Sequence, residues 1–301
     1  MPLAVLRLLL VFCLFAASAH GENVALLLSA PDGPYAEYAT NFRTALGATN
    51  WKISAQGSPE NLDSAPERPD LIIAVGSSAL RQALARPGPT PIIATLIPRL
   101  SYEKLLAESG NRNRRVSAIW LDQPPARQAL FLRHLLPGKT RIGMLLSNET
   151  RAQAAQFRQP FAAAGLSLDT EDGEADPTLL PALNNLLGRI NILFAIPDST
   201  IYNRDNIKSI LITTYRYQRP VIAFSPAFVN AGALAALYST PAQIARQTVE
   251  IMQSSGTALP PPVSPNQFAI LINQNVAEAL NLRLQDEADI RHAMLADKEA
   301  R

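Results

Sequence analysis

From Asn191 to Tyr238 the chain reads NILFAIPDSTIYNRDNIKSILITTYRYQRPVIAFSPAFVNAGALAALY. The apolar run Ile192 to Ile196 ends in Pro197-Asp198-Ser199-Thr200, a helix-length segment follows, and a second apolar run, Val221 to Phe224, ends in Ser225-Pro226. Short continuous apolar runs, bounded by turn residues and spaced by a helix, predict buried parallel strands. In an open parallel sheet the turns after such strands lie at the carboxyl ends, where these sheets bind ligands. The stretch is therefore expected to form one wall of a ligand-binding cleft.

The same unit recurs upstream. Asn23 to Ala30, Trp51 to Ala55, Asp70 to Val75 and Pro91 to Leu96 read as strands, with helices over Tyr35 to Ala48 and from Ala79 to about Ala85. Gly57 to Pro69 is rich in turn residues, and Asn111 to Arg115 reads as a charged loop. Val116 to Leu121 is a further strand, and Asp122 to Pro125 opens a helix that Pro137-Gly138 closes. The order then restarts with a strand over Arg141 to Leu146, a helix over Arg151 to Ala164, a strand over Leu166 to Thr170 and a helix over Pro177 to Leu187. Pro241 to Ser254 is an amphipathic helix, Thr257 to Pro265 a proline-rich linker, Gln267 to Ile272 a strand and Gln274 to Leu280 a helix. Ala233 to Tyr238 reads as a strand leading back to the first array rather than another core strand, and the charged chain after Leu284 as a fraying end. The fold class is α/β, with two Rossmann-like lobes built on parallel sheets.

The first 21 residues stand apart. Arg7, the apolar run Leu8 to Ala17 and the small residues Ala17-Ser18-Ala19 have the pattern of a cleaved secretory signal. The apolar run is too short for a membrane span. The mature chain is expected in the periplasm, without membrane insertion after cleavage. Cys13 is the only cysteine and lies in the signal, and Val11-Phe12 before it lacks the small residue that a lipidation site needs. Net charge is +2 and aromatic residues make up 6%, with no clustered basic face, so no nucleic-acid partner is expected.

Catalytic signatures are missing from the sequence. His20, His134 and His292 have no partners at metal-ligand spacing, and G-x-S-x-G, P-loop and G-x-G-x-x-G patterns do not occur. No enzyme activity, metal or cofactor is expected. The candidate site is instead a set of polar turns after strands. Ser77 and Ser78 open a helix, where backbone N–H groups suit a carboxylate; the alternative is a plain N-cap. Ser147, Asn148, Asp198, Ser199 and Thr200 form the matching turns of the second array, and an ionised Asp198 suits an ammonium group unless it only caps a helix. Ser225 offers a hydroxyl and Phe228 an aromatic wall, with plain core the alternative for Phe228. Tyr35 and Tyr38 suit stacking on a flat ligand or packing on the next helix, and Tyr238 is a further candidate.

PVIAFSPAFVNAGALAALYSTPAQIARQTVEIM and the later PNQFAILINQNVAEALNL, together with the signal and the two α/β arrays, resemble the ABC-transporter substrate-binding protein family, whose better-known members bind tryptophan or tyrosine. The resemblance covers roughly residues 23 to 285. It implies a type I periplasmic-binding-protein fold with three crossover segments, near Ile119, Leu237 and Val263, and a ligand between lobes that close on a hinge. It implies residues 22–118 plus 238–262 for the first lobe, 119–237 plus 263–285 for the second and 286–301 as a charged tail. The family's ligand loops fall on Ser77, Ser78, Ser147, Asn148, Asp198 to Thr200 and Ser225. Relatives that bind amino acids tend to have Asp-Asn where this chain has Asp198-Ser199, and the loop Leu96 to Arg99 is less polar than theirs. The expected function is capture of a small polar or aromatic, amino-acid-like solute for an ABC permease; the alternative partner is a membrane sensor that reads the ligand, and an enzyme using a carboxylate such as Asp198 as base ranks third.

Overall fold

The computed structural model describes residues 22–57, 68–110, 114–174 and 178–297. The signal reading and most of the Gly57 to Pro69 loop lie outside the described residues, as do 111–113 of the charged loop. Two sheets carry the molecule. The first holds β1 (Asn23–Leu28), β2 (Lys52–Gly57), β3 (Leu71–Val75), β4 (Ile92–Ile97) and β5 (Val116–Trp120), all parallel, in the order β2-β1-β3-β4-β5. Its helices are α1 (Gly33–Leu46), α2 (Ser77–Ala85) and α3 (Arg99–Ser109). The strand sequence LIIAV of β3 is buried throughout, as a parallel strand covered on both faces must be.

Residues alternate between the two faces of this sheet. Leu71, Ile73 and Val75 pack with Tyr38 and Phe42 of α1, whereas Ile72 and Ala74 pack with Leu80 of α2 and Tyr102 of α3.

The second sheet holds β6 (Arg141–Leu146), β7 (Ser167–Asp172), β8 (Ile192–Phe194), β9 (Val221–Ala223), β10 (Ala235–Tyr238) and β11 (Ala269–Ile272), in the order β11-β10-β9-β8-β6-β7, with only β11 antiparallel. Around it lie α4 (Pro125–Leu135), α5 (Ala154–Ala163), α6 (Leu179–Leu187), α7 (Ile207–Arg216), α8 (Pro226–Asn230), α10 (Gln274–Ala279) and α11 (Glu287–Ala296). The remaining helix, α9 (Pro241–Ser255), follows β10 in sequence but buries Ile244, Val249 and Met252 against α1 in the first lobe. The Tyr38 hydroxyl fixes that packing, 2.8 Å from Thr248 Oγ1.

The chain crosses between lobes three times. The first crossing follows β5 at residues 121–124, the second is Ser239-Thr240, and the third runs from Ser264 to Gln267. Just before the third, Val263 lies beside β5 as a parallel bridge to Ile119, its N–H donating to Ala118 O at 2.9 Å and its carbonyl accepting from Trp120 N at 3.1 Å. Each crossing lies a few residues beyond the position the family resemblance implies.

Several sequence expectations are corrected. Ala235–Tyr238 is a core strand, hydrogen-bonded to β9 on one side and β11 on the other, as well as the lead into the second crossing. Helix α3 escapes the sequence pattern because only Tyr102 and Leu105 of its eleven residues are buried. The charged end does not fray at once: Asp286 caps α11, and Ile290 and Met294 are buried in the second lobe's core. Arg114, read as part of a charged loop, is buried with its guanidinium donating to the carbonyls of Ala83, Arg86 and Thr90. Buried backbone acceptors there are satisfied by the cation instead of water.

Candidate functional site

The carboxyl ends of both sheets face one another across a cavity of about 660 Å³. That lies within the range of small-molecule sites. The first lobe contributes Tyr35 from α1 and Trp120 from the end of β5; the second contributes Phe157 from α5, Phe224 after β9 and Tyr238 from β10. Asp122, Gln123, Ser239, Thr240 and Ser264 bring the three crossings themselves into the lining. The walls are thus aromatic and belong to both lobes, and the crossings that join the lobes border the space.

Local rules place these groups. Gly76 has φ +90°, and a Cβ there would meet Ser29 Oγ at 2.6 Å and Tyr35 Cε1 at 2.7 Å, so the turn after β3 can approach Tyr35 only as glycine. Ser29, at the end of β1, accepts the Ala79 N–H at 2.9 Å. The side-chain cap of α2 therefore comes from a neighbouring strand, with Gly76 at the N-cap position and Ser77 and Ser78 inside the helix. Trp120 is framed by the Arg99 guanidinium, 4.8 Å over its ring, and by Tyr102 edge-on at 6.4 Å. Its Nε1 is enclosed and makes no hydrogen bond among the described residues.

Charge in the larger cavity comes from Glu37, Arg99 and Asp122. Asp122 Oδ2 accepts the Arg99 backbone N–H at 2.7 Å. Burial pushes the Asp122 carboxyl above the usual carboxylate range, opposed by that hydrogen bond. Burial likewise raises the Tyr238 phenol, and the carboxylates of Glu37 and Glu287 add to the shift. Gln128, at 8% exposure, lines the cavity, and its amide makes no hydrogen bond among the described residues. A buried amide without a protein partner is a group left for water or ligand.

A second cavity of about 370 Å³ lies alongside, sharing Pro98, Pro197 and Phe224 with the first. Ser77, Asp198, Ser199 and Tyr202 line it, and across it Lys104 of α3 pairs with Glu149 of the second lobe at 2.9 Å.

The sequence candidates separate between these places. Tyr35, Ser225 and Tyr238 line the larger cavity. Ser77 and Ser199 line the smaller one. Asp198 borders that cavity too, but it is only 5% exposed: Oδ2 accepts from Ser147 N and Thr150 Oγ1, and Oδ1 from Thr200 N and Ile201 N. Its carboxylate staples two turns of the second lobe, which corrects the reading of an ammonium receptor. Ser147 is buried, with Oγ accepting the Glu149 N–H, while Ser78 and Asn148 are exposed on the surface and border neither cavity. Thr200 caps nothing with its side chain and borders neither cavity. Phe228 is core, 2% exposed and packed on Tyr202 and Phe224 at 5.6 and 5.8 Å. Tyr38 is core as well.

Sequence reasoning missed Trp120, Asp122, Gln128 and Phe157. Trp120 closes β5 just before the first crossing and Asp122 lies in it, and a tryptophan at the end of a strand just before Pro124-Pro125 is a signal that could have found them.

Comparison with known proteins agrees with this architecture. The family model for ABC transporter substrate binding proteins matches residues 49–293. A ligand-free, open substrate-binding protein with adhesive properties from Clostridium difficile superposes with a TM-score of 0.64 at 16% identity, over 88% of this chain and 95% of that one. The ABC domain in complex with L-Trp from Streptococcus pneumonia gives a TM-score of 0.58 at 16% identity, over 88% and 95%. A conserved domain protein from Vibrio cholerae gives 0.58 at 16% identity, over 90% and 98%. No curated protein matches the sequence.

Proposed function

This chain belongs to the ABC transporter substrate-binding protein family, and from that premise we propose that it captures a small solute with an aromatic or apolar body in the larger cleft and presents it to an ABC permease. The observation that carries the reading is the 660 Å³ cavity walled by aromatic side chains from both lobes and bordered by all three crossings. A solute there touches both lobes at once. It stabilises the closed arrangement by as much as it binds that arrangement better than the open one.

The reading is of capture without chemistry. Among the described residues no group of three or more His, Cys, Asp or Glu is placed to hold a metal, and no helix is long and apolar enough to cross a membrane. Periplasmic residence after removal of residues 1–21 is part of the proposal. The Streptococcus ABC domain in complex with L-Trp supports an aromatic solute.

A thermal-shift screen of the mature protein against amino acids, amines, sugars and nucleobases tests it. A saturable rise in melting temperature with one solute class is expected, abolished by Trp120→Ala or Phe224→Ala. A flat screen against solutes and periplasmic extract contradicts capture.

A further inference from the structure

Resting on the reading that the larger cleft captures a solute, we propose that this solute is an organic ammonium ion: an aromatic or comparably apolar body that carries an amine and no carboxylate. The walls fit the body. Tyr35 and Trp120 face the cavity from one lobe and Phe157, Phe224 and Tyr238 from the other, a set that stacks on rings and attracts cations to ring faces.

The charges fit the amine. Among the described residues two carboxylates, Asp122 and Glu37, border the cavity against one cation, Arg99. Arg99 is already engaged, its Nε 2.7 Å from Glu103 Oε1 and its guanidinium over Trp120 at 4.8 Å. Asp122 receives a backbone N–H from Arg99 but no ion pair among the described residues. Asp122 is half-buried, and the cation that acts on it, Arg99, is shared with Glu103, so a bound cation adds to a partial neutralisation. Independently, Gln128 lines the same space, 8% exposed, with an amide that makes no hydrogen bond among the described residues and a carbonyl able to accept from an N–H donor.

Among the described residues the cation a carboxylate would meet in this cavity is Arg99, whose Nε is shared with Glu103 and whose guanidinium lies over Trp120. Helix starts are the usual anion sites because their first N–H groups are free. Of the helices whose starts line this cavity, α1, α4, α8 and α9 carry proline in that turn (Pro34, Pro125, Pro226 and Pro241), while α3 gives its first N–H, that of Arg99, to Asp122 and α5 gives that of Ala154 to Arg151 O. Proline has no N–H to give. Of the donors that remain, Phe228 N–H is taken by Ser225 Oγ and Gln243 N–H by Thr240 Oγ1. The start of α2 opens on the smaller cavity, where Ser29 already takes the Ala79 N–H.

The test is calorimetric titration of the full mature chain with two matched sets: tryptamine, tryptophan and indole-3-propionate, and phenethylamine, phenylalanine and 3-phenylpropionate. At least one amine is expected to bind one-to-one and about ten-fold or more tighter than its zwitterion and its acid. Asp122→Asn keeps an oxygen for the Arg99 N–H, so the ligand-free variant is expected to melt no lower, while amine affinity falls about ten-fold. Glu37→Gln, at an exposed position, is expected to lose about two- to five-fold. Tighter binding of a zwitterion or acid, or amine affinity unchanged in both variants, overturns the inference and leaves solute capture standing. Failure of both amines overturns it too, and the broader thermal-shift screen then decides whether capture itself survives.

Discussion

Gln123 and Ser239, 116 residues apart in sequence, meet through a 2.8 Å hydrogen bond from Nε2 to Oγ that ties the first crossing between the lobes to the second. Ser239 Oγ passes the link on, donating to Gln267 O at 2.6 Å in the third. Arg127 closes the set, donating through Nη1 to Gln123 Oε1 at 2.7 Å and to Pro265 O at 2.9 Å. These bonds staple the three crossings to one another. Ser239→Ala removes a donor and an acceptor from this buried chain. A loss of about 1–3 kcal/mol in unfolding free energy is expected from urea titration, with faster amide exchange along residues 121–124.

Lys104 and Glu149 join the lobes at the rim of the smaller cavity, with side chains 55% and 49% exposed. Such a pair is screened and contributes little to folding. Lys104→Gln should therefore leave the melting temperature unchanged within error. It should nonetheless shift the ligand-free population toward the open arrangement, measured as a larger radius of gyration by small-angle scattering, with 0.5 M salt reproducing the effect in the parent protein.

Tyr202 sits in the second lobe's aromatic cluster with its hydroxyl buried and unpartnered among the described residues. Removing a polar atom that has lost water without gaining a partner is favourable. Tyr202→Phe is expected to stabilise by about 1 kcal/mol, read from urea midpoints at unchanged slope. A destabilised variant would show that the hydroxyl has a partner.

Alkali should unfold the protein through its buried phenols. Burial raises Tyr102 to about 12, with Glu103 adding to the shift, and raises Tyr38 and Tyr202 as well. In the unfolded chain the same groups lose their protons near 10. Their contribution is fully present below pH 10 and is lost as pH rises from there through the folded values. Urea titrations at pH 8, 9 and 11 should show stability falling only over the last step, and less steeply in Tyr202→Phe.

Gly76→Ala tests how the site is assembled. The added Cβ at φ +90° meets Ser29 and Tyr35, so a loss of about 1–3 kcal/mol is expected. The Tyr35 ring must move as well, and solute affinity should fall by more than stability alone predicts at a temperature where the variant is fully folded.

The parallel strands were legible because each is a short apolar run closed by turn residues, as in Leu71–Val75. The two lobes followed from the restart of that pattern at Arg141. Helices with weak apolar stripes were not legible: α3 buries Tyr102 and Leu105 alone, and α11 reaches the core through Ile290 and Met294 from a run of charges. The antiparallel pairing of β11 with β10 depends on contacts between distant segments, which periodicity does not carry. Polar turns after strands led to Ser225, which lines the larger cavity, but overrated Asp198, because sequence does not show that Ser147, Thr150, Thr200 and Ile201 already claim its oxygens. Asp122 and Gln128 stayed hidden because they belong to a crossing and to the helix it starts.

Trp120 provides the most direct measurement of solute capture, since it lines the cavity while the chain's other tryptophan, Trp51, is 7% exposed in the first lobe's core. In Trp51→Phe, emission reports Trp120 alone. Titration with a solute that raises the melting temperature should give a saturable emission change at one-to-one stoichiometry, lost when Phe224→Ala is added. A solute that stabilises the folded variant while leaving Trp120 emission unchanged, and whose binding survives Phe224→Ala, would place the site elsewhere and contradict capture between the lobes.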